Sequence, residues 1–326
     1  MPDTPPVKRK RTADSSPADP DTTPVRSKIW MPYGDIILQA ESTQFRINRD
    51  VLARHSSVFA DMFLIPLPSD EPTVEGCLIV RVSDTAKDWE LLLDVLYDPF
   101  QESVSRPFAV VAAMLRLGKK YDIPQARDDA LSRLHFEYPA DLEAWDALPD
   151  HLTKIEDERG IHPDLLNLVY ECGVYSCIPT IGLSCLHLYS LEALFEGVEH
   201  PEGSCVTLSS DTKLTLAIAL ERLLFFQRSA LGWLENNAVI PHKSCQTRNA
   251  CIRSKKDINH TVTWWEKETH DVTYATGEWP DSWSGKLCEA CETAAREYTD
   301  TSRQKGWELL PTFFGLPKWK DLKDLE

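Results

Sequence analysis

Residues Asp35–Phe63 read D-I-I-L-Q-A-E-S-T-Q-F-R-I-N-R-D-V-L-A-R-H-S-S-V-F-A-D-M-F, and the change of period inside this stretch decides the fold. Ile36 and Leu38 point one way in a strand over Asp35–Ala40. In a second strand, Gln44–Asn48, Phe45 and Ile47 alternate with Gln44, Arg46 and Asn48. Such period-two alternation marks a half-buried strand. Glu41-Ser42-Thr43 between them is short and polar, which predicts a hairpin. From Val51 the spacing becomes three and four: Val51, Leu52, His55, Val58, Phe59, Met62 and Phe63 share one helical face. Ser56 interrupts this run and is placed to cap a second short helix.

Beyond this stretch, Pro66, Pro68, Ser69, Asp70 and Pro72 predict a loop. A third strand follows over Cys77–Ser83, with Leu78, Val80 and Val82 on one face. A helix starting at Asp84 or Thr85 carries Trp89, Leu92, Leu93 and Leu96, and ends at Asp98-Pro99 because proline cannot continue it. Pro107 opens another helix, with Val111, Met114, Leu115 and Gly118 on a stripe. The joint Lys119-Lys120-Tyr121-Asp122-Ile123-Pro124 leads into a closing helix that runs to about Glu137.

Two separated parts of this segment resemble a BTB (POZ) domain. The first is a strand opening with Asp, a second strand containing Phe, and a helical pair with Leu-Ala, Ser and Phe. Here these are Asp35, Phe45, Leu52, Ala53, Ser56 and Phe59. Most members carry His where this chain has Asn48, and Asn is expected to cap the following helix instead. The second part is Lys120-Tyr121-Asp122 at the joint between the last two helices. The resemblance implies an α/β fold, a small mixed sheet flanked by helices, over residues 29–137. It also implies a domain that homodimerises or recruits another protein. Ile29, Trp30, Met31 and Tyr33 precede the first strand, as an apolar segment fit for a partner subunit or, by slight preference, for the chain's own core. Cullin-binding members often show a hydrophobic-x-Glu tripeptide after the third strand. This chain has Asp84-Thr85-Ala86-Lys87-Asp88 there, which weakens a cullin-adaptor role.

Residues 138–235 read as mostly α-helical. Asp141–Ala147 is short and acidic, and Pro163 suits the first position of a helix. Pro179 begins another helix, and Ser209-Ser210-Asp211 precede a long apolar helix, Leu214–Glu235, expected to be buried against its neighbours. This continuation, and the end Leu310–Trp319, resemble the fungal type of BTB protein.

Residues 236–326 hold six of the ten Trp and four Cys, so their core is poor in aliphatic residues. Cys245-x5-Cys251 is followed after 36 residues by Cys288-x2-Cys291. Zinc prefers four soft ligands in a tetrahedron, and Cys-x-x-Cys presents two sulfurs to one ion. The wider first pair demands a long loop or a helix end. His242, His260 and His270 lie near enough in sequence to replace a Cys. A small region with a marginal core gains from a metal. The alternative is four unpaired thiols in a reducing compartment. Catalytic zinc is disfavoured, because four thiolates leave no open coordination position. The remaining cysteines, at 77, 172, 177, 185 and 205, mostly sit in apolar segments and read as small hydrophobes.

The tail over residues 1–28 is rich in Pro, Ser, Thr and Asp, and is expected to be disordered. It carries Lys8-Arg9-Lys10-Arg11, which reads either as a nuclear-import peptide or as a solvated charge run. The whole chain has net charge −16. The tail contributes six basic and four acidic residues, so the body is more acidic still and should repel phosphate backbones. Direct nucleic-acid binding is therefore not expected. Nor is a membrane span, since no run approaches the ~20 apolar residues required. The N-terminus has no secretory character, and nine Cys fit a reducing interior, in nucleus or cytoplasm. His135-x-Glu137 with Cys288-x-x-Cys291 superficially matches a zinc deaminase, but the pieces are far apart and Leu287 stands where Pro belongs. No enzyme motif is found. The reading is a non-enzymatic interaction module, dimerising or scaffolding, with a nuclear co-regulator and a cullin adaptor as more specific roles and a zinc-dependent enzyme as the alternative from another class.

Overall fold

The computed structural model describes residues 23–65, 72–98, 105–264 and 276–325. The basic tetrad Lys8–Arg11, the loop residues 66–71, Pro99, Trp265 and His270 lie outside them. The chain divides into two compact units, Met1–Pro99 and Phe100–Glu326.

The first unit is built on a five-stranded mixed sheet in the order β1-β3-β2-β5-β4. Its strands are β1 (Val25–Trp30), β2 (Ile36–Ala40), β3 (Thr43–Ile47), β4 (Thr73–Val74) and β5 (Cys77–Val82). β2 and β3 form the expected hairpin, Leu38 opposite Phe45, around a two-residue turn with Glu41 at φ 52°. The Glu41 carboxylate accepts from the Ala86 amide (3.1 Å). β2 also pairs in parallel with β5, so it is central. That corrects the half-buried reading: Ile36, Ile37 and Leu38 are all buried, because a central strand is covered on both faces.

A second correction concerns the tail. Val25–Lys28 belong to β1, which pairs in parallel with β3. Lys28 and Arg26 read as tail because their charges are exposed, yet they lie on an edge strand, where Lys28 meets Glu90 and Asp94. Ile29 is buried, whereas Tyr33 is 91% exposed.

Helices α1 (Arg49–His55), α2 (Ser57–Leu64) and α3 (Ala86–Tyr97) complete this unit. Ser56 caps α2 by accepting from Phe59 N (3.1 Å). Asn48 occupies the N-cap of α1 but makes no capping bond with its side chain, which instead donates to Tyr33 O (3.0 Å). The cap comes from Asp35, whose Oδ1 accepts from Arg49 N (2.7 Å) while Oδ2 pairs with the Arg49 guanidinium (3.1 Å). Phe59 stacks on Phe63 and meets Trp89 edge-on, with ring centroids 6.0 and 5.8 Å apart.

The second unit is almost wholly helical. α4 (Phe108–Lys120) and α5 (Pro124–Glu137) form an antiparallel pair. They approach so closely that a Cβ on Gly118 would lie 2.7 Å from Arg127 N. Asp122 turns the joint at φ 46° and pairs with Arg127. α6 (Leu142–Asp146), α7 (Ile161–Cys172), α8 (Ile178–Leu188) and α9 (Leu191–Glu196) follow. Pro163 is the third residue of α7 rather than its first. After a two-strand ribbon, β6 (Val198–Glu199) with β7 (Cys205–Val206), come α10 (Ser210–Ala230), α11 (Arg248–Trp264) and α12 (Glu289–Phe313).

α10 differs from expectation. It stops at Ala230, before the 3₁₀ turn Gly232–Leu234, and only one face is covered. Leu216, Ala219, Leu220 and Leu223 are buried, while Leu214 and Phe225 face solvent, Phe225 at 78% exposure. Arg222 crosses to α12 and donates to Thr312 O and Phe313 O (2.8 and 3.0 Å). Among the described residues no helix is long and apolar enough to cross a membrane.

Candidate functional site

The four C-terminal cysteines come together. Cys245 sits in the loop before α11 and Cys251 in its first turn. Cys288 is the N-cap of α12 and Cys291 lies in its first turn. The wide first pair is thus a loop joined to a helix end, as its spacing demanded. All four sulfurs lie within 4.8 Å of one another, and Cys245 Sγ is 3.6 Å from Cys288 Sγ. A tetrahedron with Zn–S bonds of ~2.3 Å requires sulfurs roughly 3.8 Å apart, so this cluster is compatible with a structural zinc ion.

The surroundings supply hydrogen-bond donors to the sulfurs. Two helix N-termini, with their unpaired amides and positive dipole ends, converge on the sulfurs. Each sulfur meets a backbone amide. His242 N reaches Cys291 Sγ and Cys288 N reaches Cys251 Sγ, both at 3.3 Å. The amides of Thr247 and Cys291 serve Cys245 and Cys288. The Cys291 amide, first among several sulfur and amide contacts, brings the Cys288 thiol down to about 6. Burial pushes Cys291 up.

Of the histidines weighed as ligands, His242 and His260 stand outside the cluster, and His270 lies outside the described residues. The His242 ring accepts from Ser244 N (3.3 Å), and the cluster comprises cysteines alone. Packed on it are Trp233, Trp279 and Trp283, mutually in contact with ring centroids 5.2–5.9 Å apart. Lys255, one turn beyond Cys251, is buried and donates to Asn237 Oδ1 and Ile240 O (both 3.2 Å), tying the preceding loop to α11.

The residues that carry the family resemblance hold the fold and form no reactive group. Phe45, Leu52 and Phe59 are core, Ser56 and Asp35 are caps, Ala53 is half-buried, and Tyr121 and Asp122 make the α4–α5 joint. The Lys120 ammonium lies 5.1 Å from the Tyr121 ring. The first unit exposes Tyr33, Val58, Leu64 and Ile65.

One constellation escaped sequence reading. Ser176, His135 and Asp324 meet although 41 and 189 residues separate His135 from the other two. Ser176 Oγ lies 3.2 Å and Asp324 Oδ2 3.0 Å from the same His135 Nε2, and Ser176 Oγ donates to Asp324 at 2.6 Å. A catalytic triad needs the carboxylate on one ring nitrogen and the hydroxyl on the other. Here both crowd one nitrogen, so the group is a clasp. With Ser176 N donating to Asp324 Oδ1 and Leu325 N to Gly173 O (both 2.8 Å), it fastens the C-terminal segment to the α7–α8 turn. His135 is therefore engaged in the clasp and is not part of the cysteine cluster.

A search of curated proteins finds no match to this chain. A scan against family models finds the BTB/POZ domain, matching residues 30–135. That match covers both stretches that carry the resemblance, four of the five strands and the helices from α1 into α5: residues 30–135 of this chain form a BTB/POZ domain.

Proposed function

We propose that the chain is a non-enzymatic scaffold whose BTB/POZ domain homodimerises or docks a second protein, and whose C-terminal region is organised by a structural zinc ion. The observation that carries the first part is the BTB/POZ domain itself, a protein–protein interaction module. The solvent-facing Tyr33, Val58, Leu64 and Ile65 add apolar area available to a partner. Light scattering of the full-length chain over a concentration series tests it. Twice the monomer mass, dissociating on dilution, supports homodimerisation. A monomer throughout assigns the surface to a different protein and removes the dimer.

Zinc would be held by Cys245, Cys251, Cys288 and Cys291 and would cross-link the N-termini of α11 and α12. The supporting observation is four sulfurs at ligand spacing with a backbone amide on each. Four thiolates fill a tetrahedron, which leaves no position for substrate and argues against the zinc-enzyme alternative. A cullin-adaptor role is the weaker alternative. The segment after β5 is used to start α3, Thr85 accepting from Asp88 N (3.0 Å), and it contains no hydrophobic-x-Glu tripeptide. A nuclear co-regulator fits the tetrad Lys8–Arg11 and an acidic body that would act through partners rather than on DNA. Replacing the tetrad with alanines and following the tagged protein in cells tests the import reading, and unchanged nuclear accumulation would remove it.

A further inference from the structure

The second unit contains a cavity of about 880 Å³, within the range of small-ligand sites. Its wall comes from four elements. Tyr138 follows α5, Trp145 belongs to α6, His162 to α7, and Tyr189 follows α8. The rings of Tyr138 and His162 stand perpendicular with centroids 6.1 Å apart, and His162 and Tyr189 are 6.4 Å apart. Tyr138 is 2% exposed, and its hydroxyl has no hydrogen-bond partner among the described residues.

The loop closing the cavity is held firmly. Glu137 is buried, and its Oε1 accepts from Thr153 N (2.7 Å) and from Lys154 N. A bridge between Arg106 and Ile155 continues the support, with Glu156 N donating to Arg106 O at 2.9 Å. This anchoring presents Asp157 and Glu158 at the cavity. Among the described residues neither carboxylate forms an ion pair; Asp157 Oδ2 accepts from Leu152 N (3.4 Å), and Arg159 is the one guanidinium on the rim. Burial raises the phenols of Tyr138 and Tyr189 and lowers His162 to about 4. Asp157 lines the same cavity as these three rings. His162 is thus neutral near pH 7 and adds no positive charge.

Aromatic rings beside a carboxylate that has no ion-pair partner among the described residues, in a preformed cavity, form a host for a cation. Ring quadrupoles attract it, and the carboxylate neutralises it. We propose that this cavity binds an organic cation, an ammonium or guanidinium on a short aliphatic stem, with Asp157 as counter-ion and the partly exposed Trp145 and Tyr189 as walls. The same chemistry is offered by a lysine or arginine side chain of a peptide and by a free alkylamine.

Calorimetric titration of the full-length protein tests this, with acetyl-Gly-Lys-Gly-amide, n-butylammonium, and the peptide carrying norleucine in place of lysine. Both cations should saturate the site, and the norleucine peptide should not. Asp157→Asn should weaken cation binding about tenfold without moving the melting temperature, because Asp157 is exposed. Should that variant fold poorly, added salt gives a second readout, weakening the cations in the wild-type protein. Tighter binding of the lysine peptide than of butylammonium makes a protein side chain the ligand, and equal binding makes it a free amine. Equal binding of the norleucine peptide, unchanged binding in a folded Asp157→Asn, or no saturable binding of either cation overturns the proposal.

Discussion

Replacing Cys291 with serine is the most informative single perturbation of the zinc reading. Cys291 is fully buried, and its sulfur accepts from His242 N and borders the other three thiols. Serine keeps the shape and a hydrogen-bond acceptor but is a poor zinc ligand, so the change removes metal affinity more than packing. Structural zinc contributes about 10–16 kcal/mol of apparent folding free energy in small peptides. An even share for one of four ligands is then about 2.5–4 kcal/mol, a large fraction of the ~5–15 kcal/mol that holds a typical domain. Cys177→Ser is the control. It is equally buried, its thiol is raised to about 12 mainly by burial, and it lies outside the cluster. It should cost only about 1–2 kcal/mol and leave the metal in place. The assay is zinc per chain by mass spectrometry, with near-ultraviolet circular dichroism reporting on Trp233, Trp279 and Trp283, which pack on the cluster. Wild-type protein and Cys177→Ser should hold one zinc, and Cys291→Ser should hold little and lose the tryptophan signal. Wild-type protein purified under reducing conditions without zinc, or Cys291→Ser that keeps one zinc with an unchanged spectrum, would refute the reasoning.

Ser56→Ala deletes the cap of α2 and should cost about 1 kcal/mol in urea denaturation; no shift of the midpoint would show that Phe59 N finds another acceptor. Glu137→Ala strands the amides of Thr153 and Lys154, each bonded to a buried carboxylate. At about 1.5 kcal/mol apiece it should lose about 3 kcal/mol, and a loss under 1 would mean that water replaces the carboxylate. His162 is lowered to about 4 by burial, against about 6.5 when unfolded. The unfolded chain therefore binds the extra proton between these values, and stability falls as pH drops from about 6.5 to 4, by up to about 3 kcal/mol. From pH 6.5 to 4 the urea midpoint of the wild type should fall further than that of His162→Phe, and parallel curves would contradict the assignment.

Local sequence determined the parts whose causes are local. Ile36 and Leu38 against Phe45 and Ile47 carry a two-residue period, Leu52 to Phe63 a helical one, and Ser56 and Thr85 cap helices through amides three residues ahead. Two Cys pairs at ligand spacing were enough to nominate one cluster, because each pair is short-range and only their meeting was unknown. What tertiary structure alone decided depends on residues far apart in the chain. Asp35 rather than Asn48 caps α1, because the strand returns Asp35 to the helix start. Val25–Lys28 become a strand through pairing with β3, which no period in their own sequence announces. Leu214 and Phe225 remain uncovered because neighbouring elements reach only one face of α10, whereas composition alone cannot distinguish a helix buried all round from one buried on a single side. The cavity is the extreme case. Tyr138, Trp145, Asp157, His162 and Tyr189 share no motif, and only the packing of α5 to α8 turns five scattered side chains into one wall.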